Sequence, residues 1–268
     1  MRNLWIMTWY TLREAMARKV FIFFLIISLL VLVITGLLFG LASNVTLGAG
    51  GGMSLENPIT HIEMMIVAPL AGLCLLLAIF SSSSFVPVML EKGNIDLLLS
   101  KPVSRDQLLW GKFLGGILVV FLNIAFLILG IWLIISFKFN YWDFHFLYII
   151  LTVTFTFTVL YSLIVLMGVI TKGSTLGMML AYFIFIILSP LFYVAKYQMG
   201  AFLENKMVKQ VVEVFYYIIP KTSELMGKVT EYLVTGKGID DYQPVLTSLA
   251  FLILTMGIAI SIFRKKDF

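Results

Sequence analysis

Residues 112–136 read KFLGGILVVFLNIAFLILGIWLIIS, a stretch in which Lys112 is the one charged side chain. A helix needs about 20 apolar residues to cross the roughly 30 Å of hydrocarbon in a bilayer. The apolar residues follow one another without the alternation of a membrane β-strand, and a helix satisfies its own backbone hydrogen bonds in lipid. This stretch therefore predicts a transmembrane helix.

Five further stretches have the same character, and the composition agrees with them. They are residues 21–41, 62–86, 146–170, 174–195 and 244–263. Of the 268 residues, 61% are hydrophobic and 12% are charged, whereas a soluble domain has about 25% charged residues. This excludes a soluble enzyme, a disulfide scaffold and a nucleic-acid-binding domain. The sequence predicts an all-α polytopic membrane protein with six transmembrane helices.

The arginines indicate how these helices are oriented. With the N-terminus in the cytoplasm, all five arginines fall in cytoplasmic segments, where basic residues are enriched in membrane proteins. The net charge of +5 then reflects cytoplasmic lysine and arginine rather than a nucleic-acid partner. We predict a multi-pass protein of the cell (inner) membrane with both termini inside.

Residue types that carry catalysis or bind metals are scarce. Cys74, the single cysteine, lies in an apolar stretch, and His61 and His145 lie in different loops, so their spacing fits no metal site. The glycine-rich loop at 48–52 lacks the Gly-Lys-Ser/Thr ending of a nucleotide-binding loop. An intramembrane enzyme would need paired catalytic groups in the spans, and the sequence shows none. We expect no enzymatic activity, no cofactor and no metal in this chain.

Residues 1–20 predict an amphipathic helix on the inner membrane surface. Five uncharged residues of this segment recur at helical spacing: Trp5, Thr8, Leu12, Ala15 and Met16. The charged residues lie elsewhere on this helix. A simple positively charged anchor is the alternative.

Residues 87–111, between the second and third spans, form the most informative loop. Residues 91–105 read EKGNIDLLLSKPVSR. Asn94 is a suitable N-cap, and Pro102 ends a helix after about two turns. Ser104 and Gln107 have the spacing of a capping box. The loop is therefore predicted to contain a short helix, a corner and a firm start to the third span.

The short helix carries three consecutive leucines, at residues 97–99, around much of its circumference. Part of this apolar surface can face the membrane helices, and the rest needs another cover. Charged residues flank it as the rim of a protein interface would. They are Glu91, Lys92, Asp96 and Arg105. A protein partner is one interpretation, and burial in the lipid interface is the other.

Residues 196–243 are the largest segment predicted outside the membrane. Pro220 separates two helices, Thr222 or Ser223 can cap the second, and that helix should stop near Gly236. The two helices either cover the outer mouth of the bundle or form a docking face for an extracytoplasmic partner.

Residues 91–112 combine an acidic-basic pair, a small residue, paired leucines, a Pro-Val-Ser-Arg sequence and a Gly-Lys pair. These are Glu91-Lys92, Gly93, Leu98-Leu99, Pro102-Val103-Ser104-Arg105 and Gly111-Lys112. The combination resembles the cytoplasmic loop of ABC-2 type ABC transporter permeases. Asn94 stands where threonine is expected, and both residues cap helices.

The six spans, the N-terminal helix and the long last loop resemble the same family, so the resemblance covers residues 1–268 as a single transmembrane domain. The chain is most similar to the branch associated with multicopper-enzyme maturation, which includes the nitrous-oxide-reductase accessory permease.

The resemblance implies a permease subunit, commonly an exporter, that pairs with a second copy or a related half. A separate ATP-binding subunit would bind the ATP. The short helix after Gly93 would be a coupling helix that rests in a groove of the ATPase, flanked by the N-terminal helix. The residues expected to contact the ATP-binding subunit are Glu91, Lys92, Gly93, Asn94, Ile95, Asp96, Leu98, Leu99, Ser100, Pro102 and Arg105.

A non-transporting membrane anchor, which relays ATPase movement to an outer partner through residues 196–243, is the alternative function. Substrate-stimulated transport in vesicles would separate the two.

Polar residues within the predicted spans are candidates for a translocation path. They are Asn123, Thr154, Thr158 and Ser162. The alternative is that these side chains serve as helix-packing contacts. The threonines of the fourth span alternate along the chain, so they occupy two faces of one helix.

Overall fold

The computed structural model of the chain describes residues 2–17, 19–41, 58–91, 93–95, 104–197, 206–236, 238 and 241–266. Regular structure within these residues is entirely helical. Five helices are long and apolar enough to cross a membrane, and a shorter apolar stretch, Ile22–Leu37, coincides with the first predicted span. The prediction of an all-α polytopic membrane protein is confirmed.

The helices are numbered here in chain order. They are α1 (Arg2–Ala17), α2 (Lys19–Leu41), α3 (Pro58–Ser82), α4 (Phe85–Met89), α5 (Arg105–Phe139), α6 (Tyr148–Thr171), α7 (Thr175–Tyr197), α8 (Lys206–Ile218), α9 (residues 222–234) and α10 (Gln243–Lys265). The six predicted spans correspond to α2, α3 with α4, α5, α6, α7 and α10. We call the end of the bundle at which α5 begins the loop-side end, and the opposite end the far end.

A capping box begins α5, as the sequence predicts. The Ser104 hydroxyl accepts a hydrogen bond from the Gln107 backbone N–H at 3.3 Å, and the Gln107 side chain accepts one from the Ser104 N–H at 3.2 Å. This cap starts the helix before the apolar stretch that begins at residue 112. At 35 residues the helix is about 50 Å long, so it extends beyond the hydrocarbon thickness.

A π-helical turn interrupts α7 at Phe183–Leu188, immediately before Ser189 and Pro190. The proline has no backbone N–H, and its ring crowds the carbonyl four residues earlier. A wider turn relieves this conflict locally. The irregularity expected from the Ser-Pro pair therefore lies just before it.

The centre of the bundle is α6. In the most apolar stretch of the span that includes α6, 67% of the residues are buried, against 17% in α7 and 22% in α10. Tyr161 stacks on Phe157 and on Phe113, with ring centroids 5.2 and 5.5 Å away. Gly116 makes the contact between α5 and α6 close, because an added Cβ would lie 2.6 Å from the Tyr161 ring.

The far end carries the two predicted helices. The first, α8, ends at Ile218, before Pro220, and α9 ends beside Gly236, whose φ is +68°. The predicted cap of α9 is wrong. The Ser189 hydroxyl accepts from the Ser223 N–H at 2.9 Å, and the Ser248 hydroxyl accepts from the Lys221 N–H at 3.2 Å. Hydroxyls of α7 and α10 therefore cap α9, because the helix folds back onto both spans.

Candidate functional site

The first turns of α5 present two glycines to α1. A Cβ added at Gly111 would lie 2.5 Å from the Cβ of Met7, and one added at Gly115 would lie 2.5 Å from the Cβ of Thr11. Glycines four residues apart share one face of a helix, so they let the α1 backbone approach closely. The N-terminal helix is therefore packed against the start of the third span.

The packed face of α1 differs from the predicted stripe. The buried residues are Met7, Thr8, Thr11, Leu12 and Ala15. Trp5 and Met16, which the predicted stripe included, are 67% and 42% exposed. The helix itself is as predicted, and the difference arises because the glycines of α5 set which face is buried.

A partly buried ion pair joins the same two helices. The Lys112 ammonium donates to the Glu14 carboxylate, and the side chains are 4% and 27% exposed. Lys112 also lies 5.8 Å from the ring centroid of Tyr10. Because a buried charge needs a close partner, Lys112 and Glu14 fix how α1 is placed along α5.

The loop at residues 87–111, predicted to hold the coupling helix, is called the coupling loop. Its described part combines an anchor with an exposed polar surface. Ile95 is 2% exposed and belongs to the core, whereas Glu91, Gly93 and Asn94 are exposed. The Asn94 side-chain amide donates to the Val88 carbonyl at 3.0 Å, which holds the loop against the preceding helix.

Six of the predicted contact residues lie outside the described residues, and so does the body of the short helix. They are Lys92, Asp96, Leu98, Leu99, Ser100 and Pro102. Within the described part, Asn94 already has helical conformation, whereas the sequence places it at the N-cap. The backbone groups that its side chain would cap belong to residues outside the described part.

Arg105, another predicted contact residue, is turned toward the end of α10. Its guanidinium donates to the carbonyl oxygens of Arg264 and Lys266 at 3.1 and 2.7 Å. Next to it, Asp106 accepts two hydrogen bonds from the Arg264 side chain, one of them 2.8 Å long at Nε. The start of the third span is therefore tied to the end of the last one.

Lys266 continues these contacts to a third helix. Its ammonium donates to the carbonyl oxygens of Val169 and Ile170, at 2.6 and 3.1 Å, in the last turn of α6. The loop-side ends of α5, α6 and α10 are thus joined through the last described residues of the chain. The sequence does not indicate these partners, because about 160 residues separate Arg105 from Arg264 and Lys266 and no short motif marks the contact.

A family model described as ABC-2 family transporter protein matches residues 12–268.

The chain belongs to the ABC-2 transporter family.

It is therefore a multi-pass membrane protein and a permease subunit of an ABC transporter. A search of the curated proteins finds no significant match. The narrower resemblance to the multicopper-enzyme-maturation branch remains a prediction. In this ABC-2 permease, α1, the start of α5 and the last described residues form one packed unit at the loop-side end.

The candidate path residues are largely engaged within their own helices. Asn123 donates to the Val119 carbonyl at 3.0 Å, and Thr158 donates to the Thr154 carbonyl at 2.7 Å. The Thr154 hydroxyl is buried and has no hydrogen-bond partner among the described residues.

Ser162 has contacts in two helices, because its hydroxyl donates to the Val159 carbonyl at 2.7 Å and also lies 2.7 Å from the hydroxyl of Thr255 in α10. This contact links two spans, as expected of a helix-packing pair. A transport role for the four residues remains a prediction.

A buried charged cluster at the far end of the permease was missed by the sequence analysis. Glu224, 2% exposed, accepts hydrogen bonds from Tyr216 and, at 3.4 Å, from Tyr197. The ammonium groups of Lys196 and Lys221 lie 3.8 and 3.9 Å from the Tyr216 ring centroid. The cluster holds α8 and α9 to the end of α7. These residues stand out only through the burial of α9 against the spans, and a sequence pattern does not show that burial.

Lys221 is the member of this cluster that is buried without a hydrogen-bond partner for its ammonium group among the described residues. It is 3% exposed. Burial lowers the pKa of Lys221 to about 8; Glu224 opposes this shift, Lys196 adds to it, and Asp241 opposes it. Burial and the hydrogen bond to Glu224 raise the pKa of Tyr216.

We expect the stability of the purified permease to rise between about pH 8 and pH 10.5. Over that range the unfolded chain keeps the Lys221 proton, with its ordinary pKa of 10.5, while the folded chain has lost it. Stability rises with pH wherever the unfolded state binds more protons. Thermal unfolding of wild type and Lys221→Met at about pH 7.5 and 9.5 measures this, and the variant should lose most of the rise. Lys265→Met, at an exposed lysine, should keep it; an equal rise in all three proteins would contradict the assignment.

Proposed function

We propose that this permease is the membrane subunit of an ATP-driven exporter in the cell's inner membrane. Two copies pair, and the loop at residues 87–111 of each copy binds a separate ATP-binding subunit in the cytoplasm. The family match supports the transporter class, and the arginine distribution supports the cytoplasmic location of the loop. Export and the pairing of two copies follow from the resemblance.

The observation that carries the coupling proposal is the rigid start of α5 directly after the loop. The Ser104–Gln107 capping box fixes the first turn, and α1 packs on the following turns through Gly111 and Gly115. A movement applied to the loop therefore reaches a helix start that is capped and packed against α1. Coupling needs an element of this kind, whose positions the nucleotide state can bias.

The surface offered to the ATP-binding subunit includes Glu91, Gly93 and Asn94, which are exposed, while Ile95 anchors the loop to the bundle. We include the remaining predicted contact residues of the loop in this surface. Asn123, Thr154, Thr158 and Ser162 are proposed to line the path, which two copies would complete between them.

Site-specific cross-linking tests the coupling proposal. A photoreactive amino acid replaces Asn94 or, separately, Glu91, and the permease is co-expressed with its ATP-binding subunit. Both positions are expected to give a cross-link to that subunit. The matched control is Gln210, an exposed residue of α8 at the far end, which should give none. Cross-links of similar yield at Gln210 and Asn94 would contradict the assignment of the loop.

A further inference from the structure

The last described residues of the chain lie among three helix ends. Arg105 binds the carbonyl oxygens of Arg264 and Lys266, Asp106 binds the Arg264 side chain, and Lys266 binds the last turn of α6. We call these contacts the C-terminal clamp. It joins α5, α6 and α10 at the loop-side end.

The backbone contacts of the clamp use groups that a helix end leaves available. The last four carbonyl oxygens of an α-helix have no partner within the helix, and Lys266 binds two of them at the end of α6. A positive charge is favourable there because of the helix dipole. Arg105 likewise binds carbonyl oxygens at the end of α10. The clamp therefore joins side chains at one helix end to backbone carbonyls at another.

The ion pair in the clamp is suited to orienting helices rather than to stabilising the fold. The side chains of Arg264 and Asp106 are 63% and 34% exposed, and exposed ion pairs contribute little to stability. Their geometry is nevertheless specific, because two parallel hydrogen bonds join the guanidinium and the carboxylate. Removing the pair should change how α10 follows α5 without unfolding the protein.

We propose that the C-terminal clamp transmits movement of the coupling loop from α5 to α6 and α10. This inference rests on the proposed function, because it needs an ATP-binding subunit that moves the loop. Movement of the loop reaches the clamp through α5, since this helix follows the loop directly. The helix α10 responds because its loop-side end is bound to the first turn of α5. The helix α6 responds because Lys266, which follows α10, is bound to its last turn.

The test measures a nucleotide response at the opposite end of α10. Tyr242, which precedes α10 and is 60% exposed, is replaced by cysteine in a Cys74→Ala background. Its rate of labelling by a membrane-impermeant maleimide is measured in the complex with the ATP-binding subunit, with and without ATP and vanadate. Without further changes, the two rates are expected to differ by about fivefold, the lower range of typical coupling between sites.

Asp106→Asn, Arg264→Gln and the double variant should each reduce the difference in labelling from about fivefold to about twofold, because the Arg105 and Lys266 contacts remain. The three losses should be equal, because the two residues act as one contact. Asp106→Glu, which keeps the carboxylate, and Lys265→Gln, at an exposed neighbour in the same segment, should keep the full response. Unfolding temperatures and the yield of the Asn94 cross-link should be similar in all of these proteins.

Two results would overturn the proposal and are distinguishable from failure of the proposed function. If the Asn94 cross-link forms and the double variant still gives the full response, the clamp does not transmit movement. If the response and the unfolding temperature fall together, and Asp106→Glu behaves in the same way, the contact is structural only. Absence of the Asn94 cross-link in the wild-type protein would instead refute the proposed function.

Discussion

Replacing Gly115 by alanine is expected to separate α1 from α5 and to destabilise the protein by about 3 kcal/mol, at the upper end of the usual cost of overpacking. The added Cβ would lie 2.5 Å from the Cβ of Thr11 and 2.7 Å from its Cγ2. The position of the Thr11 Cβ is fixed by the α1 backbone, so the whole helix must move. Gly111→Ala meets the Cβ of Met7 at the same distance and should behave alike.

Thermal unfolding and the accessibility of one residue in α1 measure this effect. Ala15 is 1% exposed, so a cysteine introduced there in a Cys74→Ala background should be protected from maleimide until α1 is released. Gly257→Ala is the matched control, because nothing lies within 4 Å of the added Cβ and alanine favours a helix over glycine. Equal stability and equal protection of Gly115→Ala and Gly257→Ala would show that the close contact between α1 and α5 is not formed.

Removing Glu14 is expected to have the second large effect. Glu14→Ala leaves the Lys112 side chain, 4% exposed, without its carboxylate partner, and breaking a buried pair in this way costs about 3–5 kcal/mol. Lys112→Met should cost less, since Glu14 is 27% exposed and can regain water. The double variant Glu14→Leu/Lys112→Met should be closer to the wild type than Glu14→Ala is, because both charges are gone.

The order of the three unfolding temperatures checks this account. Arg13→Ala provides the control on the same helix, because Arg13 is exposed and surface substitutions usually change stability by less than about 0.5 kcal/mol. The account is wrong if Glu14→Ala is no more destabilising than Arg13→Ala, or if the double variant is the least stable of the set.

The spans and the start of α5 could be predicted because their signals are local. A continuous apolar stretch such as 112–136 marks its own helix, and the Ser104–Gln107 pair marks a helix start within one turn. The signal for the end of α8, which is Pro220, is equally local.

Contacts between distant segments could not be predicted in the same way. Gly111 and Gly115 have the spacing of a close helix contact, but the spacing does not say which helix is the partner. Lys221 and Glu224 are buried because α9 folds back against α7 and α10, and no sequence pattern indicates that contact. Asp106 and Arg264, 158 residues apart in the sequence, meet only through the packing of α5, α6 and α10.

The cross-link at Asn94 tests the central claim most directly, because it reports contact between the loop and a separate ATP-binding subunit in the assembled complex. The account predicts that mass spectrometry will place the cross-linked peptide in that subunit, with Gln210 giving no such peptide. A fully assembled complex in which Asn94 and Glu91 both fail to cross-link to the ATP-binding subunit would contradict it.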